Sequence, residues 1–252
     1  MGAVFGVYLK YVALSAGSAV FCFRSLTDDF TMTWCSVICC YCAVVNGLVA
    51  FLFAQQKGMS LIGKTQDGKI PLWSYILFAG FHLPTILYTA MHTYLGENSS
   101  KRERVVPVAT EIRDGWWLGG RYGDRLGIPK WGPVVDLTVE FPETLDTDNY
   151  LLLRCWDGVP PTPAQLEQAA SFCADYLQRT GSSQRLPIMI HCAHGRGRST
   201  CTMCAAFVRA GLYSTWEAAF EAIKEKRHVV RLNRKMKNAL IEWTDLYCKK
   251  QG

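Results

Sequence analysis

The sequence predicts an α/β domain, a central sheet flanked by helices, over residues 101–252, preceded by an all-α transmembrane region over residues 1–100. Three observations predict it. Charge is spread unevenly: residues 1–104 hold only 5 of the 21 acidic and 8 of the 27 basic residues. The same stretch carries three long apolar runs. Beyond it, short apolar runs alternate with segments of helical period, the pattern of a sheet layered with helices.

The first run, Gly2 to Phe23, is long enough to span a bilayer but carries Lys10 near its middle, which costs energy unless the side chain snorkels or meets a partner helix. Met32 to Ala54 has no charged residue over 23 positions, and Pro71 to Leu95 has none over 25. A helix of about 20 apolar residues crosses a hydrocarbon core, so two or three transmembrane helices are expected. No basic segment precedes the first run and two more runs follow, which argues against a removable signal peptide. Small residues are frequent in these runs, as in helices that pack closely in lipid. Trp34, Trp73 and Tyr94 stand near the edges, where an interfacial aromatic belt would lie.

Lys57, Lys64 and Lys69 follow the second run; Lys101, Arg102 and Arg104 follow the third. Three full spans would put these groups on opposite faces, against the positive-inside rule. A kinked or re-entrant third run, around His82 and Pro84, would reconcile them. Cys35, Cys39, Cys40 and Cys42 have no histidine at metal-ligand spacing and read as small hydrophobes of a membrane helix, with palmitoylation open.

Lys101 to Arg104 forms a charged junction, and a single-core domain begins at Pro107. In Glu111 to Gly120 an Asp-Gly turn precedes aromatic residues, which predicts a hairpin. Val134 to Val139 and Tyr150 to Arg154 read as strands. Asp136 lies inside the first of these and is expected to be structural. Cys155 to Pro161, with a glycine and two prolines, is a loop. Thr162 is a plausible N-cap with Pro163 at the first helical position, and apolar residues at 166, 169, 170, 173, 176 and 177 continue the helix. Leu186 to Ile190 is a buried strand. A helix follows from about Arg198 to Arg209, closed by Gly211. Ser214 to Glu217 predicts a capping box for a helix over 215–226, and apolar spacing predicts a last helix from about Asn233 to Lys249.

The chemistry concentrates in Ile188 to Thr202, IMIHCAHGRGRSTCT. A strand delivers His191 and Cys192 into a loop with glycines at 195 and 197, which runs into a helix at Arg198 and Ser199. Successive loop amides make an anion-binding nest, and the helix end adds partial positive charge. The same field stabilises a thiolate, so Cys192 should be ionised at neutral pH. Arg198 presents a planar fork that matches two phosphate oxygens. The arrangement suits a phosphate dianion held over a sulfur.

His-Cys, five residues, Arg-Ser resembles the signature of the protein tyrosine phosphatase superfamily, in its dual-specificity branch. The run 112–120 is similar to the opening of such domains. The resemblance implies a dual-specificity phosphatase-like fold, with no cofactor and no metal. It implies Cys192 as nucleophile, Arg198 and the loop from Ala193 through His194, Gly195, Arg196 and Gly197 as phosphate binders, Ser199 as assistant to the leaving sulfur, and His191 as an orienting residue. It puts the general acid in the loop after a strand about 35 residues earlier, where Asp157 stands. Extra cations in the loop, Arg196 and at mildly acid pH His194, resemble the lipid-phosphate branch. A further basic set, Lys224, Lys226, Arg227, Arg231, Arg234, Lys235 and Lys237, could face anionic head groups. The reading is therefore a membrane-anchored phosphatase of a phospholipid, a phosphoinositide or phosphatidylglycerophosphate, with no nucleic-acid partner. A dual-specificity or tyrosine protein phosphatase and a catalytically silent phosphate-binding adaptor are the alternatives. A thiolate needs a reducing compartment, so a multi-pass protein with its catalytic domain toward the cytosol is expected, and the sequon Asn98-Ser99-Ser100 should stay unmodified. Cys155, Cys201 and Cys204 are open as regulatory partners of Cys192, with core packing the plainer role.

Overall fold

The computed structural model describes residues 3–27, 34–99, 105–181 and 184–248, with side chains from residue 9. The charged junction Lys101 to Arg104, Ser100 of the sequon and Lys249 lie outside the described residues.

Five strands form one mixed sheet in the order β1-β2-β5-β3-β4. The Asp114-Gly115 turn joins β1 (Ala109–Arg113) to β2 (Trp116–Gly119) as an antiparallel hairpin, as the sequence predicts. The remaining pairings are parallel, with β5 (Ile188–His191) between β2 and β3 (Trp131–Asp136), and β4 (Thr147–Leu152) at the edge. Central β5 and β3 are buried on both faces, which explains their continuous apolar runs. β3 starts and ends three residues earlier than predicted. Its pairing with β5 stops at Asp136 opposite His191, and the chain then turns toward the site.

One sheet face is covered by α5 (Pro163–Arg179), α6 (Arg198–Arg209), α7 (Trp216–Lys226) and α8 (Arg234–Trp243), around Leu118, Val135, Ile190, Leu166, Phe207 and Trp243. The other carries a smaller cluster of Trp131, Val134 and Met189 under loops. Thr162 and Gln165 close a reciprocal capping box at α5. At α7 the predicted box does not form. Thr215, one residue later than Ser214, is the N-cap, and Ala218 at the third helical position has no side chain to reach back. The last helix ends at Trp243 and continues as a π-turn over Thr244–Cys248.

The N-terminal region is helical: α1 (Ala3–Thr27), α2 (Trp34–Ala54), α3 (Leu72–Leu77) and α4 (Ala79–Glu97). Three departures from expectation appear. Among the described residues only α2 is long and apolar enough to cross a membrane, so the multi-pass arrangement is not supported. The third run breaks at Phe78 instead of Pro84, which α4 absorbs within its second turn. Cys40 does not stand as a small hydrophobe; it forms a disulfide with Cys22 that ties α2 to α1.

These helices are packed with polar groups inward. Asn46 Nδ2 donates across to the Gly80 carbonyl (3.0 Å), Ser15 Oγ to Ala43 (2.7 Å), and Tyr41 to Leu77 (2.9 Å). Ser36, Asn46, Ser74, His82, Thr85 and Thr89 are buried, while Val44, Phe51, Leu83 and Leu87 face outward.

The two regions share a seam. Trp156 of the sheet domain sits in one cluster with Tyr11, Phe53 and Phe81 of the helices, and its indole N–H donates to the Lys57 carbonyl (2.8 Å). The 55–70 segment inserts Lys64, only 2% exposed, beneath the sheet edge. Its ammonium pairs with Asp136 and donates to the Thr138 carbonyl and hydroxyl (3.1 Å each). Asp136 is thus structural, as its strand position suggested, and Tyr150 donates to it as well (2.9 Å).

Candidate active site

Cys192 leaves the end of β5 at the sheet's centre, so its sulfur lies where the loop amides and the first turn of α6 converge. The loop can close this tightly because Gly195 adopts φ +66° and packs on Gly119. A Cβ there would stand 2.5 Å from that residue's carbonyl carbon. Among the described residues no side chain caps α6, whose N-cap is Gly197. Its first amides therefore remain oriented toward an anion.

Burial pushes the Cys192 thiol up. The Arg198 charge, the Ser199 hydroxyl (Sγ to Oγ 3.3 Å) and the amides of Ser199 and His194 outweigh it, holding the thiol below its ordinary range. Arg198 is buried and fixed by four acceptors: the carbonyls of Leu137 (2.8 Å) and Cys155 (2.7 Å), Glu140 (2.7 Å) and Asp157 (3.1 Å). Its Nε is buried with no hydrogen-bond partner among the described residues. A guanidinium locked along one edge with a donor to spare is suited to hold an anion.

Asp157 heads its loop, next to seam residue Trp156. Burial pushes its carboxyl up, but the charges of Arg198 and Lys10 bring it below the ordinary carboxylate range. Ser199 stands 3.3 Å from the sulfur, Ala193 is buried next to Cys192 in the chain, and Gly197 is the N-cap of α6. His191 is buried beneath the loop with Nε2 2.8 Å from Glu143. Burial lowers its basicity, but Glu143 and Asp136 raise it further, to about 9. It is held within an ionic cluster beneath the loop. Asp136, Glu143 and His191 present atoms within 4.8 Å of one another, a spacing a metal could use. Lys64 already pairs into the cluster and His191 carries a proton, so cationic charge is in place.

Two expectations about the loop change. His194 is no cation at mildly acid pH. Burial and the neighbouring arginines lower its basicity, and its ring packs on His92 of α4 (4.6 Å between centroids) and near Tyr88 (6.1 Å). Arg196 turns toward α4, 3.3 Å from His92 Nε2.

The basic set after α7 also divides. Arg227 is buried and braces the loop from behind, donating to the carbonyls of Gly195 (2.9 Å) and His194 (3.1 Å). It also binds Pro107 (2.9 Å) and the Thr110 hydroxyl (2.8 Å). Lys224 remains exposed. Cys155, Cys201 and Cys204 are buried, free thiols; burial pushes Cys155 up to about 12, out of the nucleophilic range. Sequence reasoning missed Glu140, the contacts that Arg227 and Lys64 make, and the approach of α1 and α4 side chains to the loop. Only Glu140 left a signal, an acidic residue in an otherwise apolar strand exit.

No protein-family model matches the chain. No curated protein matches it either. Solved structures do. A single-residue variant of human DUSP28 is 17% identical and covers 58% of this chain and 99% of its own, with TM-score 0.48. PTPMT1 in complex with PI(5)P is 19% identical over 58% of this chain and 100% of its own, TM-score 0.46. The human tyrosine phosphatase-like serine/threonine/tyrosine-interacting protein is 18% identical over 56% and 97%, TM-score 0.44.

Proposed function

We propose that this chain is a membrane-anchored cysteine-dependent phosphatase that hydrolyses a phosphate monoester of a phospholipid through a phosphocysteine intermediate. The observation that carries the reading is the Cys192 thiol, held below its ordinary range by Arg198, whose buried Nε has no hydrogen-bond partner among the described residues.

The Cys192 thiolate attacks phosphorus while the bond from phosphorus to the ester oxygen breaks. Arg198 and the amides from Ala193 to Arg198 hold the equatorial oxygens as charge shifts onto them. Asp157 gives its proton to the departing alkoxide. Asp157 accepts a hydrogen bond from Arg198 (3.1 Å). A bound dianion competes for that guanidinium and adds negative charge, raising the carboxyl so that it carries the proton it must donate. Water then attacks the phosphocysteine, Asp157 takes its proton, the sulfur–phosphorus bond breaks and Ser199 donates a hydrogen bond to the thiolate.

Two features support a lipid substrate. The site opens beside α1 and α4, where Lys10, Tyr88 and His92 adjoin the loop. The helices beside it carry apolar residues outward, a pattern that suits lipid contact, and α2 is long enough to cross. Anchoring through α2 with the thiolate toward a reducing compartment is part of the proposal.

The test uses full-length protein in detergent micelles. Phosphatidylglycerophosphate, phosphoinositides and phosphotyrosine peptides are offered in parallel, beside C192S and D157A. Lipid phosphate release lost in C192S is expected, with kcat reduced about 10²–10⁴-fold in D157A. Turnover of peptide alone would establish a protein phosphatase, and binding without turnover an adaptor.

A further inference from the structure

A groove of about 420 Å³ runs between α1 and α4, lined by Tyr11, Ala13, Leu14, Pro84 and Thr85, with Lys10 and Tyr88 at one end. That end adjoins the catalytic loop. Tyr88 lies beside the His194 ring, Lys10 stands 4.9 Å over Tyr88, and the Lys10 charge acts on Asp157. Its lining is overwhelmingly apolar, and its size falls within the range of small-molecule sites. Water would leave such a trough poorly solvated, and a headgroup would find no partners along Ala13 and Leu14.

From this placement we infer that the groove seats an acyl chain of the substrate itself, with Lys10 at the junction where apolar chain meets phosphorylated head. The inference rests on the lipid-phosphatase reading above and extends it from the phosphate to the tail. Continuity argues for the occupant: one end reaches the phosphate-binding loop and the other runs along helices whose outer faces are apolar. Charge complementarity argues likewise. The cation that lines the groove stands at the phosphate end, where it faces an anionic head and leaves the remaining length to hydrocarbon. Seating the tail fixes the ester over Cys192, so binding energy from a remote part of the substrate is used to orient the reacting end.

The experiment is a chain-length series in mixed micelles: phosphatidylglycerophosphate with acyl chains of four, eight and sixteen carbons, and p-nitrophenyl phosphate as a tail-free ester. Wild type is compared with A13W, whose indole fills the trough. Ala13 touches neither the loop nor the reacting atoms. Wild-type kcat/KM is expected to climb with chain length, because each buried methylene contributes. In A13W the sixteen-carbon substrate should lose about tenfold, with the tail-free ester unchanged. A chain-length rise that survives A13W would overturn the groove, which would then hold bulk lipid. A flat wild-type series with good tail-free turnover would do the same and leave the phosphatase reading standing. No turnover of any ester, tail-free included, would overturn both.

Should A13W lose tail-free turnover through misfolding, labelling decides. C192S protein is irradiated with sixteen-carbon phosphatidylglycerophosphate bearing a diazirine in its acyl chain. Adducts concentrated at Ala13, Leu14 and Pro84 support the seat; adducts spread evenly over α2 overturn it.

Discussion

The sheet domain and the helical region solve opposite packing problems within one chain. Around β5 nearly all large apolar side chains turn inward. Of those in residues 105–248 that remain exposed, Ile241 shows most, at 48%. In the helices, Val44 is 71% exposed and Leu87 68%, while Asn46, Ser74 and His82 are buried and bonded across the bundle. Water drives the first pattern by expelling hydrocarbon. The second pattern is the one expected where the surrounding medium is as apolar as leucine and polar bonds and close packing hold helices together. The seam joins both solutions, using a buried ion pair on one side and an aromatic cluster on the other.

The largest expected effect comes from breaking that seam. K64M leaves Asp136 buried without its cation and should cost about 3–5 kcal/mol. Thermal unfolding of the full chain in detergent measures it, and the K64M/D136N double variant should recover much of the loss. Next comes a pair that tests the opposed patterns directly. L166A opens a cavity under the sheet and should cost about 2–5 kcal/mol. V44A, on the outer face of α2, should stay within about 0.5 kcal/mol in the same detergent. Equal losses would show that the helices too are packed for water.

Between pH 6.5 and 9 a pH response should come from the sheet domain. His191 is raised from its ordinary 6.5 to about 9 in the fold. Its stabilising contribution is therefore complete below pH 6.5 and is lost as pH climbs toward 9. Unfolding midpoints taken across that window should fall for wild type and flatten for H191N. A small effect is also expected of N46A, which removes one bond between α2 and α4 and should cost about 0.6 kcal/mol.

Local signals made much of the sheet domain legible. The Asp-Gly turn, Thr162 with Pro163, and the strand-loop-helix at 188–202 depend on neighbours within a few residues, so their spacing carries them. Cys192 and Arg198 came with that spacing, and Asp157 through resemblance. What stayed hidden is long-range. Arg227 reaches Pro107 across 120 positions, Arg198 reaches Glu140 across 58, and Lys64 finds Asp136 across 72. Lys64 in particular reads as one of three basic residues in a loop between apolar runs, because hydropathy says nothing of a partner carboxylate waiting beneath a sheet. The helix break at Phe78 was hidden for another reason: the proline that draws the eye is tolerated, while the packing that turns the chain leaves no residue signature.

Trp156 settles onto Phe53 and Phe81, and the next residue in the chain is Asp157. The helices leave the ribosome before the sheet does, so the platform for this tryptophan can exist before the loop that carries it. A chain whose helices are not yet assembled has no surface to fix the acid-bearing loop. The position of Asp157 thus depends on helices that belong to the other region of the chain.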